Sequence, residues 1–393
     1  MEKIRVQNIN LMTPRKYNIS FLIDGLGMGG AERMMIPILK QLRGEDFEPR
    51  VAVFQVREGN PIAKDLQALG ITVDYFPVPY LRDLGAIPRL VKYFKQTGAD
   101  LVHLQLELAD TLGSVASRLA RIPSVSTLHT MPSQDMSLKT WAHQTIEFWS
   151  LRLFCDRVIS VAEEARKFHL KISGASEKKN ITIYNGIDLT RFAHLDGARD
   201  ALRRELGIPS DAEVLITLAV LREPKGIQFM IEAMPAILAA RPNAYYLVAG
   251  DGSHRAALEE HASRAGVERR VVFAGMRSDV PRVLAASDVF VLPTLTEALP
   301  TVLAEAMACR LPIVASAVGG VPEMVTDGVN GKLVQPARPE ELTRACVELL
   351  SNPALREQMS QRGWEIVNDK FNVEGQVERL KNLYRGLIKQ YGR

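Results

Sequence analysis

The sequence predicts an α/β protein made of two doubly wound parallel sheets, and three observations support this prediction. The chain has 393 residues, which exceeds the usual size of one domain, so two domains are expected. Short β-branched runs alternate with helical stretches from end to end, as in a series of βαβ units. The runs are apolar without polar alternation, which indicates strands covered by helices on both faces.

Thirteen strands are expected, in two series. The first series is 18–24, 50–56, 71–76, 100–106, 123–129, 157–162 and 180–184. The second is 213–220, 245–250, 271–275, 288–293, 312–316 and 331–334. Ligands of open parallel sheets bind beyond the carboxyl ends of the strands, so two facing sheets would place a site in the cleft between them.

The boundary between the domains is expected after residues 183–192, "IYNGIDLTRF", where a strand ends in an Asn-Gly turn. The N-terminal domain is then 1–192 and the C-terminal domain 193–371. Residues 194–212 are interpreted as a solvated linker with a short helix. The final stretch, 372–393, carries a helical stripe of apolar residues and is expected to pack back on the first domain.

Composition excludes several classes of protein. Lys and Arg total 49 against 45 Asp and Glu, a net charge of +4. This charge is too small to indicate a nucleic-acid partner, although it suits an anionic ligand or a transient contact with an acidic membrane surface. No stretch approaches the roughly 18 apolar residues of a membrane span. Residues 1–16 lack the apolar core of a signal peptide and are expected to form an irregular leader.

The cysteines indicate the cellular compartment. Cys155, Cys309 and Cys346 lie far apart with no C-x-x-C spacing. This usage fits a reducing compartment, and it excludes a disulfide framework or a cysteine-rich zinc site. The cytoplasm is therefore expected, and the oligomeric state stays open.

A glycine-rich loop follows the first strand, in "FLIDGLGMGGAERMM" at 21–35. Gly25, Gly27 and Gly30 satisfy G-x-G-x-x-G, the dinucleotide fingerprint. An NAD site also needs an acidic residue at the end of the second strand, which here reaches Gln55 without one. The loop therefore indicates contact with a phosphate or a sugar through backbone N–H groups, and it does not identify the ligand.

A pair of glutamates, Glu297 and Glu305, follows a buried strand with seven residues between them. Pro300 is expected at the first helical position, which places Glu305 in the helix and Glu297 in the loop before it. Thr301 and Val302 would then offer N–H groups at the positive end of the helix, which favours a phosphate by roughly 0.3–1 kcal/mol.

The alternative is that Glu305 is a solvated helix residue and Glu297 a helix cap. Glu305, however, lies among apolar residues in "VLAEAMA". A carboxylate there needs hydrogen-bond donors, and the vicinal hydroxyls of a ribose are suitable ones, at roughly 1.5–3 kcal/mol each.

Two cations follow the first strand of the second series. Arg222 and Lys225 lie in the loop of "LAVLREPKGIQFMIEAM" at 218–234, and Gly226 allows the turn. Cations beyond a parallel strand are suitable partners for a diphosphate. Two solvated loop cations are the alternative.

Ordered motifs along the chain give it a family resemblance. They are "GMGGAER" 27–33, "TLHT" 127–130, "YNGID" 184–188, "LREPKG" 221–226, "AGDGSHRAAL" 249–258, "FAG" 273–275, "TEALPTVLAEAMACRLPIVAS" 296–316, "GGVPEMV" 319–325 and "DGVNGKLV" 327–334. With these motifs the chain resembles the retaining glycosyltransferases of family 4 from about residue 17 to its end. The resemblance implies the GT-B fold, in which two Rossmann-like domains face each other across a cleft.

The resemblance implies roles for residues of the second domain. Glu297 would contact the donor sugar, Glu305 would hold the ribose hydroxyls, and Lys225 would bind the diphosphate. The backbone around the start of the helix would also bind the diphosphate, at Ala298, Leu299, Thr301 and Val302.

Further roles follow from the same resemblance. His129 would lie near the transferred sugar, and Glu297, Lys225 and His129 would form the catalytic set. Gly29 and Gly30 would approach the donor phosphate or the acceptor, and the loop around Met276 would touch the base. Family members usually carry an arginine five residues before the motif lysine, where this chain has Val220, and Arg222 is the candidate replacement.

The resemblance implies a retaining transfer of a sugar from a nucleoside diphosphate sugar to a hydroxyl of a glycan or a lipid-linked acceptor. UDP is the favoured nucleotide and GDP the other candidate. No metal or other cofactor is expected, since no acidic cluster is placed to bind one. A nucleotide-sugar 2-epimerase and a non-catalytic sugar-nucleotide-binding subunit stay open as alternatives.

One apolar stretch, "WAHQTIEFWSLRLF" at 141–154, has no role in these assignments. It is interpreted as a core helix, and the alternative is a surface that faces an acceptor or a membrane. A peripheral contact with the inner face of the membrane is therefore kept as a prediction.

Overall fold

The computed structural model describes residues 15–27, 29–56, 59–129 and 138–393. In these ranges the strands form one sheet of seven and one sheet of six, and the pairs between neighbouring strands are parallel. All thirteen expected strands are present, with ends within a few residues of the predicted ones. The predicted fold class of two parallel α/β sheets is therefore confirmed.

The first sheet has the order β3-β2-β1-β4-β5-β6-β7. Its strands are β1 Tyr17–Ile23, β2 Phe47–Val53, β3 Thr72–Tyr75, β4 Leu101–Gln105, β5 Ser124–Leu128, β6 Arg157–Ser160 and β7 Asn180–Thr182. Its helices are α1 Gly30–Leu42, α2 Pro61–Ala68, α3 Ala86–Gln96, a π-helical turn Ala109–Gly113, α4 Ser114–Ala120, α5 Leu138–Phe154 and α6 Glu163–Ser173.

The second sheet has the order β10-β9-β8-β11-β12-β13. Its strands are β8 Glu213–Leu218, β9 Ala244–Ala249, β10 Val271–Gly275, β11 Val289–Leu292, β12 Ile313–Ser316 and β13 Gly331–Val334. The helices that follow β7 along the chain are α7 Ala198–Glu205, α8 Ile227–Ala240, α9 Arg255–Arg264, α10 Val280–Ala285, α11 Thr301–Ala308, α12 Val321–Met324, α13 Pro339–Ser351, α14 Pro353–Lys370 and α15 Val373–Gln390. Short 3₁₀ turns cover Leu189–Phe192 and Glu223–Lys225.

Both faces of the second sheet are buried, which explains its continuous apolar strands. Ile216 and Phe290 belong to one core cluster, whereas Leu215 and Val289 belong to another. Successive side chains of a strand point to opposite faces, so each strand supplies two apolar layers. The strand order reverses between β8 and β11, so the carboxyl ends of these two strands mark the place where open α/β sheets bind their ligands.

The short helix expected within residues 194–212 is present as α7, but the interpretation of the segment as a solvated linker is wrong, because one face of it is buried. Helix α7 packs through Leu202 and Arg203, which are both buried. The Arg203 guanidinium donates to the carbonyls of Ala286 and Ala212 and pairs with Asp288 at 2.9 Å. The run of charges concealed this packing, because an arginine can be buried wherever acceptors surround its guanidinium.

By their contacts the described residues divide into two compact units. One holds the described residues up to Ser126, together with Leu153–Asp156 and Lys381–Arg393, and the other holds Thr127–Arg152 and Arg157–Leu380. In the first unit, Tyr384 of α15 hydrogen-bonds to His103 of β4. The boundary predicted at residue 192 stays a prediction.

Among the helices described, none combines the length and the apolarity needed to cross a bilayer.

Candidate functional site

Lys225 and Glu297 form an ion pair at the carboxyl edge of the second sheet. The Lys225 Nζ lies 2.6 Å from the Glu297 Oε1, and the two side chains are 29% and 13% exposed. Lys225 ends the turn after β8, and Glu297 lies in the loop after β11. Because β8 and β11 are the neighbours at which the strand order reverses, the pair lies where open α/β sheets bind their ligands.

Gly226 holds these two loops together. Its φ is +69°, and a Cβ at this position would lie 1.8 Å from the carbonyl oxygen of Pro293. The Leu295 N–H donates to the Pro224 carbonyl at 2.8 Å, which adds a second backbone link between the loops. The closeness of Lys225 to Glu297 is therefore set by backbone packing as well as by charge.

Helix α11 begins directly after the Glu297 loop. Pro300 is the N-cap in an extended conformation (φ −76°, ψ 101°), and not the first helical residue as predicted. The Pro300 carbonyl accepts from the Leu303 N–H at 3.0 Å. Pro300 is therefore the N-cap, and the helix starts at Thr301. Among the described residues, neither the Thr301 nor the Val302 N–H has an acceptor, so both are available at the positive end of the helix.

The segment after Glu297 is supported from behind by the "GGVPEMV" motif. A Cβ on Gly320 would lie 2.1 Å from the Ala298 carbonyl oxygen, so only a glycine permits this contact. Helix α12 follows at once and carries Glu323. The Glu323 carboxylate accepts from the N–H groups of Glu163 and Glu164, at 2.7 and 2.8 Å, and thereby caps α6.

No role was expected for Glu323 from the sequence. The indication in the sequence was its place within a quoted motif directly after a proline, but a partner 160 residues away cannot be inferred from spacing. The Glu323 carboxylate also acts on Tyr184, because burial and then this negative charge raise the pKa of the Tyr184 hydroxyl to about 12. Glu323 thus joins the support of the Ala298 segment to the start of α6.

Glu305 lies in the second turn of α11, as the sequence predicts. It is half-buried, and its neighbours Ala304, Ala306 and Met307 are buried. Burial, with the Glu305 charge as a second cause, raises the pKa of the Cys309 thiol to about 12, so this thiol is neutral at physiological pH. The contact of Glu305 with ribose hydroxyls stays a prediction.

Arg222, Val220 and Met276 are exposed in the loops that follow β8 and β10. The Gly250 N–H donates to the Gly275 carbonyl at 2.8 Å, so the loop bearing Met276 is tied to the loop after β9. Within the described part of the chain, the Arg222 side chain has no protein partner. It is therefore placed at the same edge as the ion pair without being held to it.

His129 follows β5 directly and is half-buried. Burial lowers its pKa from 6.5 to about 4, so the imidazole is neutral at pH 7. The rest of the predicted loop beyond "TLH", at 130–137, lies outside the described residues.

The glycine loop does not need its glycines for backbone conformation. Gly29 is the N-cap of α1 with a φ of −70°, which any residue adopts. A Cβ on Gly30 would meet no atom within 4 Å, and both residues are exposed. A Cβ on Gly29 would meet the Glu32 carboxylate, so the open space in front of the helix is at Gly30, where it favours close approach by a ligand. Their ligand contacts stay predictions.

Within the described ranges, no three His, Cys, Asp or Glu side chains come together as candidate metal ligands. The expectation that no metal is required stays a prediction.

Two family models match the chain. Residues 198–365 match the model described as "Glycosyl transferases group 1", and residues 28–191 match "Glycosyltransferase Family 4". Together they span every described strand after β1.

Curated relatives and solved structures are similar over most of the chain. An Escherichia coli UDP-Gal:alpha-D-GlcNAc-diphosphoundecaprenol alpha-1,3-galactosyltransferase is 26% identical over 92% of this chain and 95% of its own. The N-acetyl-alpha-D-glucosaminyl L-malate synthase of Bacillus anthracis is 27% identical over 81% and 84%. Anabaena HepE in complex with UDP has a TM-score of 0.84 and 26% identity, and it covers 94% of this chain and 100% of HepE.

Proposed function

This chain belongs to glycosyltransferase family 4, and on that basis we propose that it transfers a sugar from a UDP-sugar to a hydroxyl acceptor with retention at the anomeric carbon. The observation that carries the proposal is the Lys225–Glu297 ion pair at the point where the strand order reverses. Uridine is favoured because HepE has been solved with UDP and with UDP-glucose, and the Escherichia coli relative is named for UDP-Gal.

The ion pair suits a diphosphate and a sugar together. An ammonium has three donors, and Glu297 occupies one of them, which leaves two for phosphate oxygens. The Thr301 and Val302 N–H groups add backbone donors at the positive end of α11. The Glu297 carboxylate has further lone pairs beyond its bond to Lys225, and these can accept from sugar hydroxyls.

In the proposed transfer, the bond between the anomeric carbon and the phosphate oxygen breaks, and the acceptor oxygen bonds to that carbon on the same face. The acceptor proton passes to the departing phosphate oxygen. Lys225 and the α11 amides stabilise the negative charge that develops on this phosphate, and Glu297 orients the sugar. His129 is neutral at pH 7, so near the sugar it would act as a hydrogen-bonding group and not as a cation.

A lipid-linked acceptor is the favoured acceptor class. The Escherichia coli relative acts on a sugar linked to diphosphoundecaprenol, and this relative matches nearly the whole chain. The acceptor hydroxyl and the linkage depend on loops that vary most among enzymes of one fold.

Thermal shift with UDP-glucose, UDP-galactose and GDP-mannose tests the donor, because a ligand of the native state raises the melting temperature. A rise with a UDP-sugar and none with GDP-mannose is expected. Transfer to a polyprenyl-diphosphate sugar, with or without EDTA, then tests the acceptor and the metal independence. Incubation of the donor alone separates transfer from 2-epimerisation, since an epimerase would change the sugar without an acceptor.

A further inference from the structure

Helix α5 has two apolar faces, and only one of them is buried. Phe148 and Leu151 pack into the protein, and Phe148 lies against the ring of His169 on α6 with ring centroids 5.6 Å apart. The opposite side carries four large apolar residues that are about half exposed: Trp141 at 55%, Ile146 at 49%, Trp149 at 53% and Leu153 at 58%. The prediction of a core helix over 141–154 is therefore right for one face alone.

The exposed residues form one contiguous face. At about 100° per residue, Trp141, Trp149, Leu153 and Ile146 fall within about 140° of the helix circumference. Arg152 falls inside the same sector, and its guanidinium lies over the Trp149 ring at 5.1 Å. A cluster of this kind on the surface marks an interaction site, because single exposed apolar residues are normal but a contiguous set of them is not.

Basic residues surround one end of this face. The Arg152 guanidinium donates to the Ser173 carbonyl in the last turn of α6, at 3.0 Å, and the same turn exposes Lys171 and Ile172. The Lys179 ammonium donates to the Arg152 carbonyl. From 171 to 179 the chain has three lysines against one glutamate, so the local charge is positive.

We propose that this face, defined as Trp141, Ile146, Trp149 and Leu153 with Arg152 and Lys171 at its edge, docks on an anionic lipid surface. Tryptophan prefers the membrane–water interface, where its ring is apolar and its N–H stays hydrated. Basic side chains beside the aromatic rings add attraction to anionic headgroups. This inference rests on the proposed lipid-linked acceptor, since an enzyme that lies on the bilayer meets such an acceptor where it is anchored.

The test is sedimentation of the full chain with vesicles of phosphatidylcholine containing about 30 mol % phosphatidylglycerol, against phosphatidylcholine alone. We expect binding to the anionic vesicles, a blue shift of the tryptophan emission, and weaker binding in about 0.5 M salt. The double variant Trp149→Gln/Leu153→Gln should lose at least about tenfold in partition, because two buried apolar side chains are removed from the contact.

A matched control is Leu84→Gln/Leu119→Gln, which removes two leucines that are at least as exposed and lie elsewhere in the chain, and it should bind within about twofold of the wild type. Equal binding of the α5 double variant and the wild type, or no binding of the wild type, would overturn the proposal. A dimer that the α5 double variant dissociates, with vesicle binding unchanged, would assign the face to a second copy. The thermal shift with UDP should be unchanged in both variants, and its absence throughout would count against the proposed function alone.

Discussion

Replacement of Lys225 by methionine removes the ammonium from the ion pair and keeps most of the length of the side chain. The Glu297 carboxylate, 13% exposed, would then lose a partner at 2.6 Å. Breaking a fully buried pair costs about 3–5 kcal/mol and breaking an exposed one about 0–1 kcal/mol. Because this pair is partly exposed, we expect Lys225→Met to lower the free energy of unfolding by about 1–3 kcal/mol.

The effect on catalysis should exceed the effect on stability. Loss of at least one charge-assisted hydrogen bond to the diphosphate, at about 1.5–3 kcal/mol, corresponds to a fall of roughly 10- to 150-fold in kcat/KM. Glu297→Gln separates the two effects, since the amide oxygen still accepts from Lys225 and the melting temperature should stay close to that of the wild type. The transfer rate of Glu297→Gln should nevertheless fall at least about 100-fold, because the charge that orients the sugar is lost.

The assay is initial-rate transfer from UDP-sugar, with thermal unfolding of each variant measured in parallel. Lys332→Met is the matched control, because Lys332 Nζ lies 2.7 Å from the Glu348 Oε1 in an ion pair of nearly the same length in the same compact unit. It should change kcat/KM by less than about twofold. Wild-type kcat/KM in Lys225→Met, in a protein whose melting temperature has fallen, would refute the assignment of Lys225 to the donor.

The remaining predictions concern single residues. Glu305→Ala should raise the donor KM more than it lowers kcat, and an unchanged KM in donor titrations would remove the ribose contact. Gly226→Ala should lower both the melting temperature and the donor affinity, because the new Cβ would overlap the Pro293 carbonyl oxygen. Gly207→Ala is the control in the same melting assay, since its φ of +67° strains an alanine backbone but its Cβ would lie in open space. Glu323→Ala should lower the free energy of unfolding in urea by about 0.5–2 kcal/mol, because α6 loses the carboxylate that caps it. A raised donor KM in this variant would show that the Ala298 segment has moved as well. Burial lowers the pKa of His129 to about 4, so as the pH falls below about 6.5 the imidazole is protonated in the unfolded state before it is protonated in the native state. The free energy of unfolding should therefore decline by up to about 1.4 kcal/mol per pH unit between pH 6.5 and pH 4. In His129→Gln, the difference between the urea midpoints at about pH 7 and pH 5 should be smaller than in the wild type.

Local patterns in the sequence were enough for the architecture. The central strands such as β11 and β12 follow from continuous apolar runs between helical stretches, because a parallel strand buried on both faces needs apolar residues along its whole length. The Glu297–Glu305 spacing also predicted a loop residue followed by a residue inside a helix. Only the cap was misplaced by one residue, since a proline fits both the N-cap and the first turn.

Other features depended on partners far along the chain. The charges of 194–212 suggested solvent, but Arg203 is buried because Asp288 and the carbonyls of other segments surround it. The apolar stretch 141–154 suggested a core, but its composition cannot show that one face lacks a neighbour. Glu323 caps a helix that begins 160 residues earlier, a contact that no periodicity encodes.

The amino-acid sequence alone determined the strands, the helices and the family, since these depend on neighbours within a few residues and on motifs of fixed spacing. The tertiary structure alone decided that Lys225 meets Glu297 across 72 residues, because that contact depends on the strand order β9-β8-β11 and on the backbone approach at Gly226. Hydrophobic periodicity specifies which residues are buried. It does not specify which strands are neighbours, and the Lys225–Glu297 ion pair forms because β8 and β11 are neighbours in the sheet.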